Sequence, residues 1–80
     1  MSSVTENTYT MDELYKLGQN LKDLRKQYGY TQKYVAQQIG ITYQSYQHYE
    51  WGLTVPTLQN CIKLAKLYGE TLESLLGIDL

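Results

Sequence analysis

After residue 28 the sequence is punctuated by glycines, each followed by a threonine: Gly29 by Thr31, Gly40 by Thr42, Gly52 by Thr57 and Gly69 by Thr71. A glycine that ends a helix in the left-handed conformation, followed by a threonine that caps the next helix, is a stop-then-start signal. Its four repeats predict short helices over Gln32 to Ile39, Tyr43 to Trp51, Leu58 to Tyr68 and Leu72 to Leu76, none with an interior proline. Ahead of them, Leu14, Leu17, Leu21, Leu24 and Tyr28 recur at spacings of three and four, which is one face of a helix. Thr10 and Glu13 make a capping box at its start. The first helix is therefore expected from about Met11 to Tyr28, with Gly18 a tolerated weak point. No segment alternates apolar and polar residues for long enough to be a strand. The chain reads as all-α: five short helices whose brief connections force steep crossings.

Eighty residues make one domain. Residues 1–9 offer nothing to bury and read as a flexible tail, leaving 10–80 as the folded unit. A chain of this size buries roughly 60 to 65% of its unfolded surface, enough for one small core but not for a deep cavity between two layers. With one histidine, one cysteine, no glycine-rich phosphate loop and no paired acids, it offers no catalytic constellation, and an enzyme is not expected. Cys61 alone forms no intramolecular disulfide and cannot found a zinc site built on thiolates, so neither a metal nor a cofactor is expected. The absence of a signal peptide or an 18-residue apolar run points to a soluble, cytoplasmic protein.

A net charge of −1 looks unpromising for binding nucleic acid, but the charge is unevenly spread. Glu6, Asp12 and Glu13 make residues 1–13 purely acidic. Residues 14–60 set Lys16, Lys22, Arg25, Lys26 and Lys33 against Asp23 and Glu50, a net +3. The middle of the chain is basic although the whole is not.

That middle contains QKYVAQQIGITYQSYQHYEW, residues 32–51, with the spacing of a helix-turn-helix. Val35, Ile39 and Ile41 anchor it before, at and after the turn, Ala36 is small where a second helix crosses, and Gly40 lets the chain reverse. Turning the second helix by 100° per residue puts Thr42, Tyr49 and Glu50 near Tyr46, and Gln44, Gln47, His48 and Trp51 opposite. One face is core; the other is polar. Gln44 can pair with the N6 and N7 edge of adenine, and Gln47 or His48 can meet neighbouring base edges. Tyr43 and Ser45 flank that face.

With the stretch LGQNLKDLRKQYGYTQKYVAQQIGITYQSYQHYEWG, a proline-containing loop and LAKLYGETLESLL, the chain resembles the Cro and phage-repressor type of helix-turn-helix proteins, also called XRE-like regulators, over about Leu17 to Leu76. The resemblance implies a lambda-repressor-like DNA-binding domain with the motif on its second and third helices. It implies backbone phosphate contacts from Gln32 and Thr42, with Lys33 and Ser45 beside them, and base contacts from Tyr43, Gln44 and His48, with Gln47 on the same face. It pairs Arg25 with Glu50, a structural ion pair, in agreement with the wheel, which puts Glu50 near the buried face. The implied partner is a double-stranded DNA operator, bound as a homodimer, with family members commonly joined through the last helix.

Two departures qualify the resemblance. The loop after the recognition helix carries Leu53, Thr54 and Val55 where relatives often have basic or small polar residues, and the helix itself has no Arg or Lys. The bidentate cation contact to guanine is thus missing, which tilts base reading toward adenine and thymine. Lys22, Lys26 and Lys33 read equally as an electrostatic footprint or a solvated face. Trp51, Leu53 and Val55 either fill the groove between the third and fourth helices or meet a partner. The rival to a DNA-binding transcriptional repressor is a protein-interaction module of the same fold, such as an antitoxin or bridging factor.

Overall fold

The computed structural model describes residues 11–77, which form α1 (Met11–Gln27), α2 (Gln32–Ile39), α3 (Tyr43–Trp51), α4 (Leu58–Tyr68) and α5 (Leu72–Leu76). Among the described residues there is no strand, and no helix is long and apolar enough to cross a membrane. The 1–9 tail, the Thr10 half of the capping box, and residues 78–80 of the expected folded unit lie outside the described residues.

The punctuation sets the boundaries. Thr31, Thr42, Thr57 and Thr71 are extended N-caps whose hydroxyl oxygens accept the N–H groups of Tyr34, Ser45, Asn60 and Ser74 at 3.0–3.1 Å. Each bond satisfies a donor that the first helical turn leaves open. At the far ends, Gly40 (φ +75°) and Gly52 (φ +73°) return their N–H groups to last-turn carbonyls, in a conformation that a Cβ disfavours. A similar cap closes α5 at Gly77, a stop the sequence reading does not mark. α1 ends one residue earlier than expected: Tyr28 already belongs to the turn in which the Tyr30 N–H reaches back to the Arg25 carbonyl at 3.0 Å.

The helices cross around one core drawn from all five, centred on Leu21, Val35, Ile39, Tyr46, Leu64, Tyr68 and Leu75. α1 packs on α3 and α5, α2 on α3 and α4, and α4 on α5. Gly18 is more than a weak point. A Cβ there would stand 2.5 Å from the Glu50 carbonyl oxygen and 2.9 Å from that of Tyr49, so this glycine is where α1 and α3 come together. Cys61 is a buried core residue beside Pro56.

Among the tyrosines, Tyr46, Tyr49 and Tyr68 are buried, whereas Tyr28 and Tyr34 stay exposed. Tyr28, Tyr30 and Tyr34 join Tyr68 in a chain of ring contacts with centroids 4.7–6.2 Å apart, and the Tyr28 hydroxyl donates to the Tyr68 carbonyl at 2.7 Å. Trp51, Leu53 and Val55 do not fill the space between α3 and α4: all three are exposed. Leu75 is fully buried, so the last helix spends its central leucine on the core.

Candidate nucleic-acid interface

Tyr46, Tyr49 and Glu50 are the buried residues of α3, and they fix which side of that helix faces out. Glu50 is 5% exposed, which would be costly for a lone carboxylate. It is answered from two directions. Arg25 donates to it twice, Nε to Oε2 at 2.6 Å and Nη2 to Oε1 at 3.1 Å, while Gln32 Nε2 donates to Oε1 at 3.0 Å. A third guanidinium donor, Arg25 Nη1, reaches the Tyr30 carbonyl at 3.1 Å. The fork thus ties α1, the start of α2 and the end of α3 together.

Burial alone pushes the Glu50 carboxyl up, but Arg25 first, then the nearby Tyr46 hydroxyl and Gln32, outweigh it and hold the group below the usual carboxylate range. The same pairing raises Arg25, against its own burial. The hydroxyls of Tyr46 and Tyr68 are buried without a hydrogen-bond partner. Burial, with the Glu50 charge beside it, drives Tyr46 far above the ordinary phenol range, and burial pushes Tyr68 up to about 12.

The outward side of α3 carries Tyr43 and Gln44, exposed, with Gln47 and His48 half-buried. Lys33 Nζ stands over the Tyr43 ring at 5.5 Å, joining the first turns of α2 and α3 by a cation–π contact. His48 lies against Trp51, ring centroids 5.9 Å apart. Thr42 Oγ1 caps Ser45 and donates to Ser45 Oγ at 2.8 Å, which leaves the Ser45 hydroxyl proton directed elsewhere. Gln47 Nε2 donates to Gln32 Oε1 at 3.4 Å. Tyr43, Gln44, Gln47, His48, Gln32, Lys33, Thr42 and Ser45 are therefore brought to the α2–α3 side of the molecule.

Two clefts border this surface and meet at Arg25 and Gln32. One, of about 400 Å³, is lined by Tyr30, Thr31, Lys33 and Tyr43 as well. The other, of about 280 Å³, adds Tyr15, Gln19, Lys22, Glu50 and Trp51. Of the α1 members of the second cleft, Lys22 and Arg25 are named in the sequence reading, but Tyr15 and Gln19 are not. Their signal was present: Tyr15, Gln19 and Lys22 are spaced by four and three and share a helix face beside the leucine stripe. Lys26 lines neither cleft.

Comparison with known proteins agrees with this geometry. The helix-turn-helix family model matches residues 21–75. The chain is 36% identical over 63 residues to the HTH-type transcriptional regulator ImmR of Bacillus subtilis, covering 79% of this chain and 50% of that protein. It is 36% identical over 62 residues to the cryptic phage CTXphi transcriptional repressor RstR of Vibrio cholerae, covering 78% and 55%. The chain thus spans about half the length of these relatives. The crystal structure of the restriction-modification controller protein C.AhdI from Aeromonas hydrophila superposes with a TM-score of 0.75 at 30% identity, over 80% of this chain and 97% of that one. With the motif on α2 and α3, its turn glycine and its buried Arg25–Glu50 fork, the chain belongs to the helix-turn-helix family of DNA-binding transcriptional regulators of the Cro and phage-repressor type.

Proposed function

We propose that the chain is a sequence-specific repressor that lays α3 in the major groove of a double-stranded operator. The observation that carries this reading is the outward side of α3. It is a continuous set of neutral donors and acceptors, held at a fixed angle by a buried ion pair and flanked by Lys33 and Lys22. Tyr43, Gln44, Gln47 and His48 face base edges. Gln32, Lys33, Thr42 and Ser45 face phosphates, Thr42 acting through its cap and Ser45 through its hydroxyl. Lys22 and the indole of Trp51 extend the phosphate track along the second cleft. Without a cation on α3, readout leans toward adenine and thymine.

One recognition helix covers too short a site for specificity, so the working unit is a homodimer on a two-fold symmetric operator in the cytoplasm. The surface that supports pairing is on α4 and the loop before it rather than on α5, since Val55, Leu58 and Ile62 are 41%, 69% and 38% exposed. That apolar set is also what favours the second reading, a module that binds another protein.

Anisotropy titration of the purified chain against a randomised duplex library, at two salt concentrations, tests the proposal. Enrichment of a symmetric site is expected, with log affinity falling against log salt at a slope of about −5 to −7 for three or four phosphates per subunit. No enriched sequence and no salt dependence would leave only the protein-binding reading.

A further inference from the structure

The side chains that link the buried ion pair to the outward face of α3 form an ordered chain of amides. Ionised Glu50 has only acceptors. Gln32 must therefore turn its Nε2 inward to the carboxylate, which aims its Oε1 at α3. There it meets Gln47, which must offer Nε2 in turn. A glutamine amide has one nitrogen and one oxygen prong, so turning the nitrogen toward Gln32, at the cost of one of its two N–H groups, leaves the carbonyl oxygen uncommitted and on the opposite, outer prong. Amide orientation is usually free to suit the ligand; here each amide inherits its orientation from a buried charge. The outer bond, at 3.4 Å, is longer than the inner one at 3.0 Å, so polarity rather than a tight clamp sets Gln47.

We infer that Glu50 acts through Gln32 to present Gln47 to the major groove with its carbonyl oxygen outermost, making Gln32 a specificity-positioning residue as well as a neighbour of the phosphates. An acceptor presented first selects the exocyclic amino groups of adenine N6 and cytosine N4 and rejects the guanine O6 and thymine O4 edges. Arg25 belongs to the same chain, because its two bonds to Glu50 keep the carboxylate turned toward Gln32. The inference rests on the DNA reading above.

The test compares the wild-type chain with Gln47→Ala, Gln32→Ala, the double variant and Gln32→Met, each measured by anisotropy on the selected operator and its single-base-pair variants. Gln47→Ala is expected to lose about five- to tenfold discrimination at one base pair. Gln32→Ala should lose the same discrimination at the same base pair although Gln47 is intact, and the double variant should lose no more than Gln47→Ala alone. Gln32→Met, which keeps length without polarity, should repeat the loss of discrimination at that base pair, with a lower melting temperature as well because Glu50 loses a donor. A merely structural role for Gln32 would weaken all sites alike and leave the base preference untouched. Wild-type preference in both Gln32 variants, or losses that multiply in the double variant, overturns the relay while the DNA reading stands. A wild-type chain that enriches no sequence overturns both.

Discussion

Replacing Gly18 by alanine separates two rules that give opposite signs. In an ordinary helix interior, Gly→Ala stabilises by about 1 kcal/mol, because alanine loses less backbone entropy and is the better helix former. At Gly18 the added methyl carbon would lie 2.5 Å from the Glu50 carbonyl oxygen, 2.9 Å from the Tyr49 oxygen and 3.0 Å from the Glu50 carbonyl carbon. An ordinary carbon–oxygen contact is about 3.3 Å, so α1 and α3 must part by roughly 0.8 Å at their crossing. All three opposing atoms are backbone, and no rotamer change can relieve the clash. Overpacking of this kind costs about 3 kcal/mol at the upper end of its usual range, which leaves a net loss of about 2 kcal/mol after the helical gain. For a domain of this size, that is a fall of roughly 8 to 16 °C in melting temperature. Thermal and urea melts followed by circular dichroism measure it. DNA affinity should also fall, because the displaced atoms belong to the recognition helix. A Gly18→Ala chain as stable as the wild type, or more so, would refute the close crossing and restore the simple penalty for a helical glycine.

Other perturbations report on separate parts of the molecule. Glu50→Ala strands the Arg25 guanidinium, whose side chain is 13% exposed and keeps only its bond to the Tyr30 carbonyl. A loss of about 3 kcal/mol is expected in denaturant melts, and a loss smaller than either single change when Arg25→Met and Glu50→Leu are combined. Because the Glu50 carboxyl sits below its unfolded value, its contribution is fully present above about pH 4.3 and disappears as the pH falls through the folded-state pKa. Acid melts should show that limb in the wild type and a flatter one in Glu50→Gln. On DNA, Gln44→Ala should change which sites are selected. Lys33→Ala should instead weaken all sites alike and reduce the salt slope by about 1 per subunit, a contrast read by titrating selected and random duplexes.

The helices were legible because their ends are built locally. A threonine hydroxyl needs only the N–H three residues on, and a glycine only the last turn behind it, so four of the five helices begin where the Gly–Thr punctuation places them, and α2, α3 and α4 also end there. The sidedness of α3 was legible for a related reason: 100° per residue is enough to bury Tyr46, Tyr49 and Glu50 together. What escaped depends on atoms distant in the chain. Tyr28 lies on the leucine stripe of α1, yet the helix stops before it, and its ring rests instead on Tyr68, 40 residues away. The last helix, which the resemblance offers for pairing, has Leu75 buried where α5 packs on α1 and α4.

Gly18 and Gln47 show the same limit at the site itself. Seen alone, a glycine in a helix is a defect and a glutamine on a polar face is a base reader. The first becomes the point of approach between two helices only when the Glu50 backbone lies opposite it. The second gains a fixed polarity only when Gln32 and the Glu50 side chain stand behind it. Both meanings pass through Glu50, whose main chain sets how near α3 comes to α1 and whose carboxylate orients the Gln32 amide and, through it, Gln47. On the proposed DNA reading, packing and readout are therefore coupled at one residue. Substitutions that loosen the α1–α3 crossing should blur base preference as well as stability, whereas those confined to the exposed tip of α3 should change preference alone.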